Sequence, residues 1–143
     1  MSSGIKKSSG LVIIQDNKIL LGHPTNHKWY NSYSIPKGNI EKNETKIEAA
    51  IRETKEEVGL SFDKNEINST EHKIEYKNKK GKHYKTVYYF IVKTKNLPIV
   101  LPKKQLQLEE INYASFLEFE EAKKRIFWRF KPILKHIKED YEI

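Results

Sequence analysis

The stretch Gly38–Leu60, GNIEKNETKIEAAIRETKEEVGL, decides how this chain is read. Placed on a helix at about 100° per residue, Glu53, Glu56 and Glu57 fall within one arc of roughly 100°. Ile47, Ala50, Ile51, Thr54 and Val58 fill the adjoining arc as a core-facing stripe. Thr45 and Glu48 have the spacing of a capping box, and Gly59 suits a left-handed stop. The spacing therefore predicts an amphipathic helix with a carboxylate cluster on its flank. Like charges three and four residues apart oppose a helix by about a few tenths of a kcal/mol per pair, so folding does not ask for them. A hard divalent cation, Mg²⁺ or Mn²⁺, does: it takes oxygen ligands and is shared between carboxylates, waters and substrate phosphates. The competing account is a solvated acidic face.

Outward from this helix the chain alternates strand-like and helical segments. On the N-terminal side, Ile35-Pro36-Lys37-Gly38 leads in. Pro36 favours an extended residue before it, and Gly38 is expected to take a backbone conformation that other residues avoid. The expectation is a tight loop that presents a carbonyl and the Lys37 ammonium toward the carboxylates. Further back, Leu11–Ile14 and Lys18–Leu21 read as a hairpin about Asp16-Asn17. The segment 22–34 reads as a loop, and its His23 and His27 follow no zinc spacing.

After Leu60 comes a polar connector, SFDKNEINST. His72–Lys77 and Lys82–Lys93 then read as strands around Asn78-Lys79-Lys80-Gly81. Leu97–Leu101 is an apolar piece fenced by prolines, and Glu109–Phe116 is expected to return to the sheet. Glu118–Ile126 and Lys131–Tyr141 read as amphipathic helices. In the second of these, Lys131, Lys135 and Lys138 form a basic face that a membrane or nucleic acid could use, but with Ile133, Leu134 and Ile137 as a core stripe it reads instead as a solvated basic back. Strands, helix, strands and helices in that order suit one α/β/α domain over residues 1–143.

Composition sets outer bounds. The chain has 143 residues, 37% of them hydrophobic, and no cysteine, which rules out disulfides and thiol chemistry. No apolar run approaches the ~20 residues of a membrane span, and the polar start MSSGIKKSSG lacks a signal-peptide core. A soluble, cytoplasmic monomer without a membrane partner is expected. The formal charge of +8 favours polyanionic partners, although lysine-rich composition also arises from nucleotide bias in a genome.

Gly38, Glu44, Arg52, Glu53, Glu56, Glu57, Gly59 and Leu60 stand at the fixed spacing of the Nudix box, with Thr54 at a position that is usually apolar. The chain thus resembles the Nudix hydrolases. That resemblance implies an α/β/α sandwich with a mixed sheet, a loop–helix–loop catalytic platform, and metal-dependent hydrolysis of a nucleoside diphosphate linked to another group. It also implies that the Gly38 carbonyl, Glu56 and Glu57 hold Mg²⁺ or Mn²⁺, with Glu53 a further ligand or the general base. Arg52 and Glu44 are expected to pair and fix the loop against the helix. A ligand or base from outside the box is common in the family, and Glu109 or Glu110 is the candidate, with Glu110 preferred as a metal ligand.

Within the family, Pro36-Lys37-Gly38, RETKEEVG and Lys85-Thr86-Val87 with its following aromatic pair resemble the asymmetrical dinucleoside tetraphosphate hydrolases. The resemblance implies that Lys37 and Lys85 contact phosphates and that Tyr76 or Tyr84 stacks on a base. Tyr33 stands where such enzymes often carry tryptophan, and Trp29 lies further back. Removal of pyrophosphate from RNA 5′ ends, hydrolysis of other nucleotides or nucleotide sugars, and a non-catalytic nucleotide-sensing module remain as alternatives.

Overall fold

The computed structural model describes residues 4–141. Its strands are β1 (Lys6–Gln15), β2 (Lys18–Pro24), β3 (Lys37–Asn39), β4 (Ile67–Lys77), β5 (His83–Lys93) and β6 (Ile111–Glu118). Its helices are α1 (Lys46–Val58), α2 (Phe119–Arg125) and α3 (Lys131–Tyr141). The sheet runs β4-β5-β1-β2-β6, with the short β3 also on β1. The β1–β5 pair is parallel and the others are antiparallel, so the sheet is mixed.

Central position explains the apolar run in β1. Leu11, Val12, Ile13 and Ile14 are all buried because helices cover both faces. Successive side chains alternate between faces. Leu11 and Ile13 pack with Ala50 and Val58 of α1, while Val12 and Ile14 pack with Ile126, Ile133 and Ile137 near α2 and α3. The result is the α/β/α sandwich, with α1 on one layer and the C-terminal helices on the other.

The turns follow their residues. Asp16 and Asn17 both take positive φ (51° and 62°), the pattern of a two-residue hairpin that twists with its strands. In the β4–β5 hairpin the Asn78 side chain accepts from the Lys80 and Lys82 amides, and Gly81 takes φ 80°. The connector after Leu60 differs from the expectation, because it is not all loop. β4 starts at Ile67, with a register irregularity between Asn68 and His72. As an edge strand it needs backbone pairing rather than an apolar pattern, so its polar residues hid it. The apolar piece Leu97–Leu101 stays outside the strands of the sheet. Gln15 clasps Leu97 by both amide groups, and Val100 makes an isolated bridge to Ser115.

Candidate active site

The carboxylate helix forms as its sequence requires. The Thr45 hydroxyl accepts from the Glu48 amide at 3.1 Å, and the Glu48 carboxylate accepts from the Thr45 amide at 2.8 Å. Gly59 closes the helix at φ 71°, its amide donating to the Lys55 carbonyl. Ala49, Ala50, Thr54 and Val58 are buried, and Ile47 and Ile51 pack at the edge of the same core. That anchoring turns Glu53, Glu56 and Glu57 toward a cleft that Gly38, Lys37, Lys85 and Glu110 also line.

Arg52 organises the approach to this cleft. Its Nε and Nη2 donate to both oxygens of Glu44 at 2.7 and 3.0 Å, a bidentate pair, and Nη2 also donates to the Asn39 carbonyl at 2.9 Å. The predicted clamp of loop to helix is therefore in place. Its Nη1 also reaches Glu53 at 2.8 Å and Glu56 at 3.2 Å, contacts that the box spacing does not imply. These hydrogen bonds hold the Glu44 carboxyl below its usual pKa and raise that of the guanidinium.

Gly38 is needed for a different reason from the one expected. It lies in β3, paired with Ser9 of β1, and its φ is not positive. A side chain there would collide with the Glu53 carboxylate. Glycine is the residue that lets this strand pass directly under the helix's acidic flank.

Glu57 is partly buried in the cleft. Burial pushes its pKa up to about 8, against the opposing pull of the Lys37 amide (3.3 Å) and the Lys37 ammonium. Lys37 is itself lowered by burial, an effect that Glu57, Glu53 and Glu110 oppose. Glu110 joins the group because its loop is tied to the end of α1: the Gln107 amide donates to the Glu57 carbonyl, and the Gln105 side chain to the Val58 carbonyl. Glu109 does not line the cleft.

A hard divalent cation fits this donor set by its chemistry. The cleft offers carboxylate oxygens and the Gly38 backbone, one carboxylate is too buried to ionise easily without more positive charge, and the lack of a side chain at Gly38 lets the Glu53 carboxylate lie directly against that backbone. Among the described residues, no three acidic or imidazole groups already converge as a closed ligand set.

A second cavity, of about 400 Å³, adjoins the first and shares Lys37 and Lys85 with it. Tyr76, Phe127 and Phe130 supply its aromatic wall, with His27, Asn31 and Ser34 as polar groups around it. Lys37 Nζ lies 5.4 Å from the Phe130 ring, and Lys85 Nζ 5.4 Å from the Tyr76 ring. Of the sequence-predicted substrate residues, Lys37, Tyr76 and Lys85 come together here. Tyr84 is 37% exposed, lies outside the lining of both cavities and meets Tyr76 edge-on at 6.1 Å. Tyr76 is buried, with the Arg129 guanidinium 4.6 Å from its ring. Phe127, Arg129 and Phe130 escape the sequence reading, although the aromatic density of IFWRF at 126–130 is the signal that marks them.

Of the two histidines in the segment read as a loop, His27 lines this cavity, whereas His23 lies in β2, which runs on to Pro24 because it pairs with β6, and is a structural group. Buried His23 stacks on Trp29 at 3.6 Å and approaches the Asn112 side chain and the carbonyls of His27 and Lys28. It thereby holds the loop that rims the cavity.

Comparison with known proteins agrees with this architecture. The family model of the NUDIX domain matches residues 5–137. The crystal structure of a C. elegans Ap4A hydrolase superposes with a TM-score of 0.67 at 26% identity, over 97% of this chain and 99% of that one. A binary complex of a C. elegans Ap4A hydrolase gives 0.62, also at 26% identity, over 92% and 99%. An ADP-ribose pyrophosphatase of Methanocaldococcus jannaschii is 45% identical over 49 residues, which span 34% of this chain and 29% of that relative's length. With the family's signature running across nearly its whole length, the chain belongs to the Nudix family and is a Nudix hydrolase.

Proposed function

We propose that the protein hydrolyses a phosphoanhydride bond in dinucleoside polyphosphates, cleaving diadenosine tetraphosphate to ATP and AMP with Mg²⁺ or Mn²⁺. The observation that carries this reading is the junction of the two cavities. An aromatic pocket sized for a nucleoside opens onto the carboxylate cleft, and the two cations they share, Lys37 and Lys85, stand between them. A base seated against Tyr76, Phe127 and Phe130 lays its phosphates past both lysines toward Glu53, Glu56 and Glu57. The two C. elegans Ap4A hydrolase structures, similar over nearly all of both chains, support the same substrate class.

The residues divide the work accordingly. Glu56, Glu57, Glu110 and the Gly38 carbonyl would hold the cation, with Glu53 either a further ligand or the acceptor of the proton from the attacking water. The cation, when bound, neutralises phosphate charge and supplies Lewis acidity at the attacked phosphorus. Lys37 and Lys85 bind and orient the polyphosphate. Arg52 and Glu44 keep the platform in place, and Arg52 also orients Glu53 and Glu56.

A substrate panel with product identification in ¹⁸O-labelled water tests the proposal. The expected result is ATP plus AMP from diadenosine tetraphosphate, with label on one product only. Lys85→Ala should lower kcat/KM about ten- to hundredfold, because a charge-assisted contact is worth about 1.5–3 kcal/mol, and should affect ADP-ribose much less. Two ADP molecules as product would overturn the proposal. So would triphosphorylated RNA, or ADP-ribose, preferred by orders of magnitude.

A further inference from the structure

We propose that the groove between α2 and α3 is a binding site for single-stranded nucleic acid, separate from the carboxylate cleft. The groove holds about 690 Å³. Lys123 and Lys124 of α2 face Lys131, Lys135 and Lys138 of α3 across it, and Glu120 is the one acidic residue among the described residues that line it. Those residues concentrate a net +4, against the chain's formal +8. Folding does not require that concentration. Residues 131, 135 and 138 recur on one face of α3 because Ile133, Leu134 and Ile137 take the other into the core, where any polar residue would serve on the solvent side. Among the described residues Lys124, Lys131 and Lys135 form no ion pair, and Lys123 meets Glu120 only at 3.7 Å.

The floor of the groove adds a second feature. The half-buried Phe119 ring has Lys138 Nζ at 5.2 Å and Lys123 Nζ at 5.6 Å, and buried Leu134 lies beside it. An aromatic face set among long cationic side chains is how sequence-tolerant proteins hold single strands: a base stacks while the lysines turn to its phosphates. A membrane surface fits less well. Interfacial binding needs exposed apolar residues beside the charges, and the large exposed apolar side chains of the described residues (Trp29, Tyr30, Tyr84, Ile99, Val100, Leu108 and Trp128) do not line the groove. Asn31 lines both this groove and the aromatic pocket, so a strand lying in the groove passes the pocket's mouth. The inference holds whichever phosphoanhydride the enzyme cleaves.

Fluorescence anisotropy with a 3′-labelled oligouridylate bearing a free 5′ hydroxyl, which offers no phosphoanhydride bond to cleave, tests this. The full chain should bind it with a salt dependence that falls on Lys124→Ala/Lys131→Ala/Lys135→Ala. Three lost phosphate contacts lower the slope of log Kd against log salt by about two and weaken binding at least about tenfold. Phe119→Leu should weaken binding several-fold while leaving that slope unchanged. In both variants kcat/KM on a small dinucleotide should stay at the wild-type value, which also shows that they fold. Equal affinity of the triple variant and wild type would overturn the proposal. Binding to phosphatidylserine vesicles but not to the oligonucleotide would overturn it as well, and would make the groove a membrane contact.

Discussion

Replacing Arg52 by alanine separates a structural from a purely chemical role for the box arginine. Its guanidinium donates five hydrogen bonds, to Glu44 twice, Glu53, Glu56 and the Asn39 carbonyl. They are unequal in worth. The Glu56 side chain is 49% exposed, so water replaces that contact almost fully. Glu44 and Glu53 are only 14% and 15% exposed, and without Arg52 they stay gathered and poorly hydrated. Charge-assisted hydrogen bonds are worth about 1.5–3 kcal/mol when a partner is left unsatisfied. After allowing for partial solvent access, the loss comes to about 2–3 kcal/mol. At an unfolding entropy of about 2.1 cal/mol/K per residue, this lowers Tm by roughly 7–10 °C. Calorimetry on wild type, Arg52→Ala, Glu44→Gln and the double variant closes a cycle, and the coupling should be about 1.5–2 kcal/mol. Arg52→Lys should recover part of the stability, since it keeps charge but loses the fork. Activity should fall at least about tenfold as the loop at 39–44 and both glutamates lose their anchor. A Tm within about 2 °C of wild type alongside lost activity would refute the clamp.

Four further outcomes follow from the same geometry. Glu57→Gln should remove turnover at unchanged or higher Tm, because burial already disfavours the ionised side chain; activity at the wild-type level would eliminate Glu57 as a ligand. Gly38→Ala should cut kcat strongly yet cost less than about 1 kcal/mol, because the atoms it meets end a flexible Glu53 side chain. Gly10→Ala meets the Pro36 backbone instead and should unfold the protein at ordinary temperatures; thermal melts of the two variants check the contrast. Thr54→Val should raise stability by about 1 kcal/mol, because the buried Thr54 hydroxyl has no hydrogen-bond partner among the described residues; a lower midpoint in urea would show that the hydroxyl is satisfied in solution. Glu44 has a folded pKa below its usual 4.5, so its contribution to stability is complete above about pH 4.5 and is lost as pH falls through the depressed value. Wild type should therefore lose more stability than Glu44→Gln across that window.

The box helix is legible in the sequence alone because its signals are local. Cap residues act on amides three positions away, and the apolar stripe and acidic flank both follow from the helical period, so Thr45, Glu48, Gly59 and the Glu53–Glu57 arc all lie where the spacing puts them. Strand β5 and the centres of β1 and β2 show themselves equally well through runs of β-branched and aromatic residues, but residues 6–10 of β1 and 22–24 of β2 carry no such run and are strand only because β5, β3 and β6 pair with them. What only the tertiary structure decided depends on pairs distant in the chain. The burial that raises Glu57 comes from packing against β3 and the loop at 103–110. The reason for glycine at 38 is a carboxylate fifteen positions away, pressed against the strand by the sheet. Phe127 and Phe130 meet Lys37 and Lys85 because the chain after α2 folds back across the mouth of the cleft. Sequence period says which face a residue takes on its own element; which other element that face meets is set by the topology of the sheet.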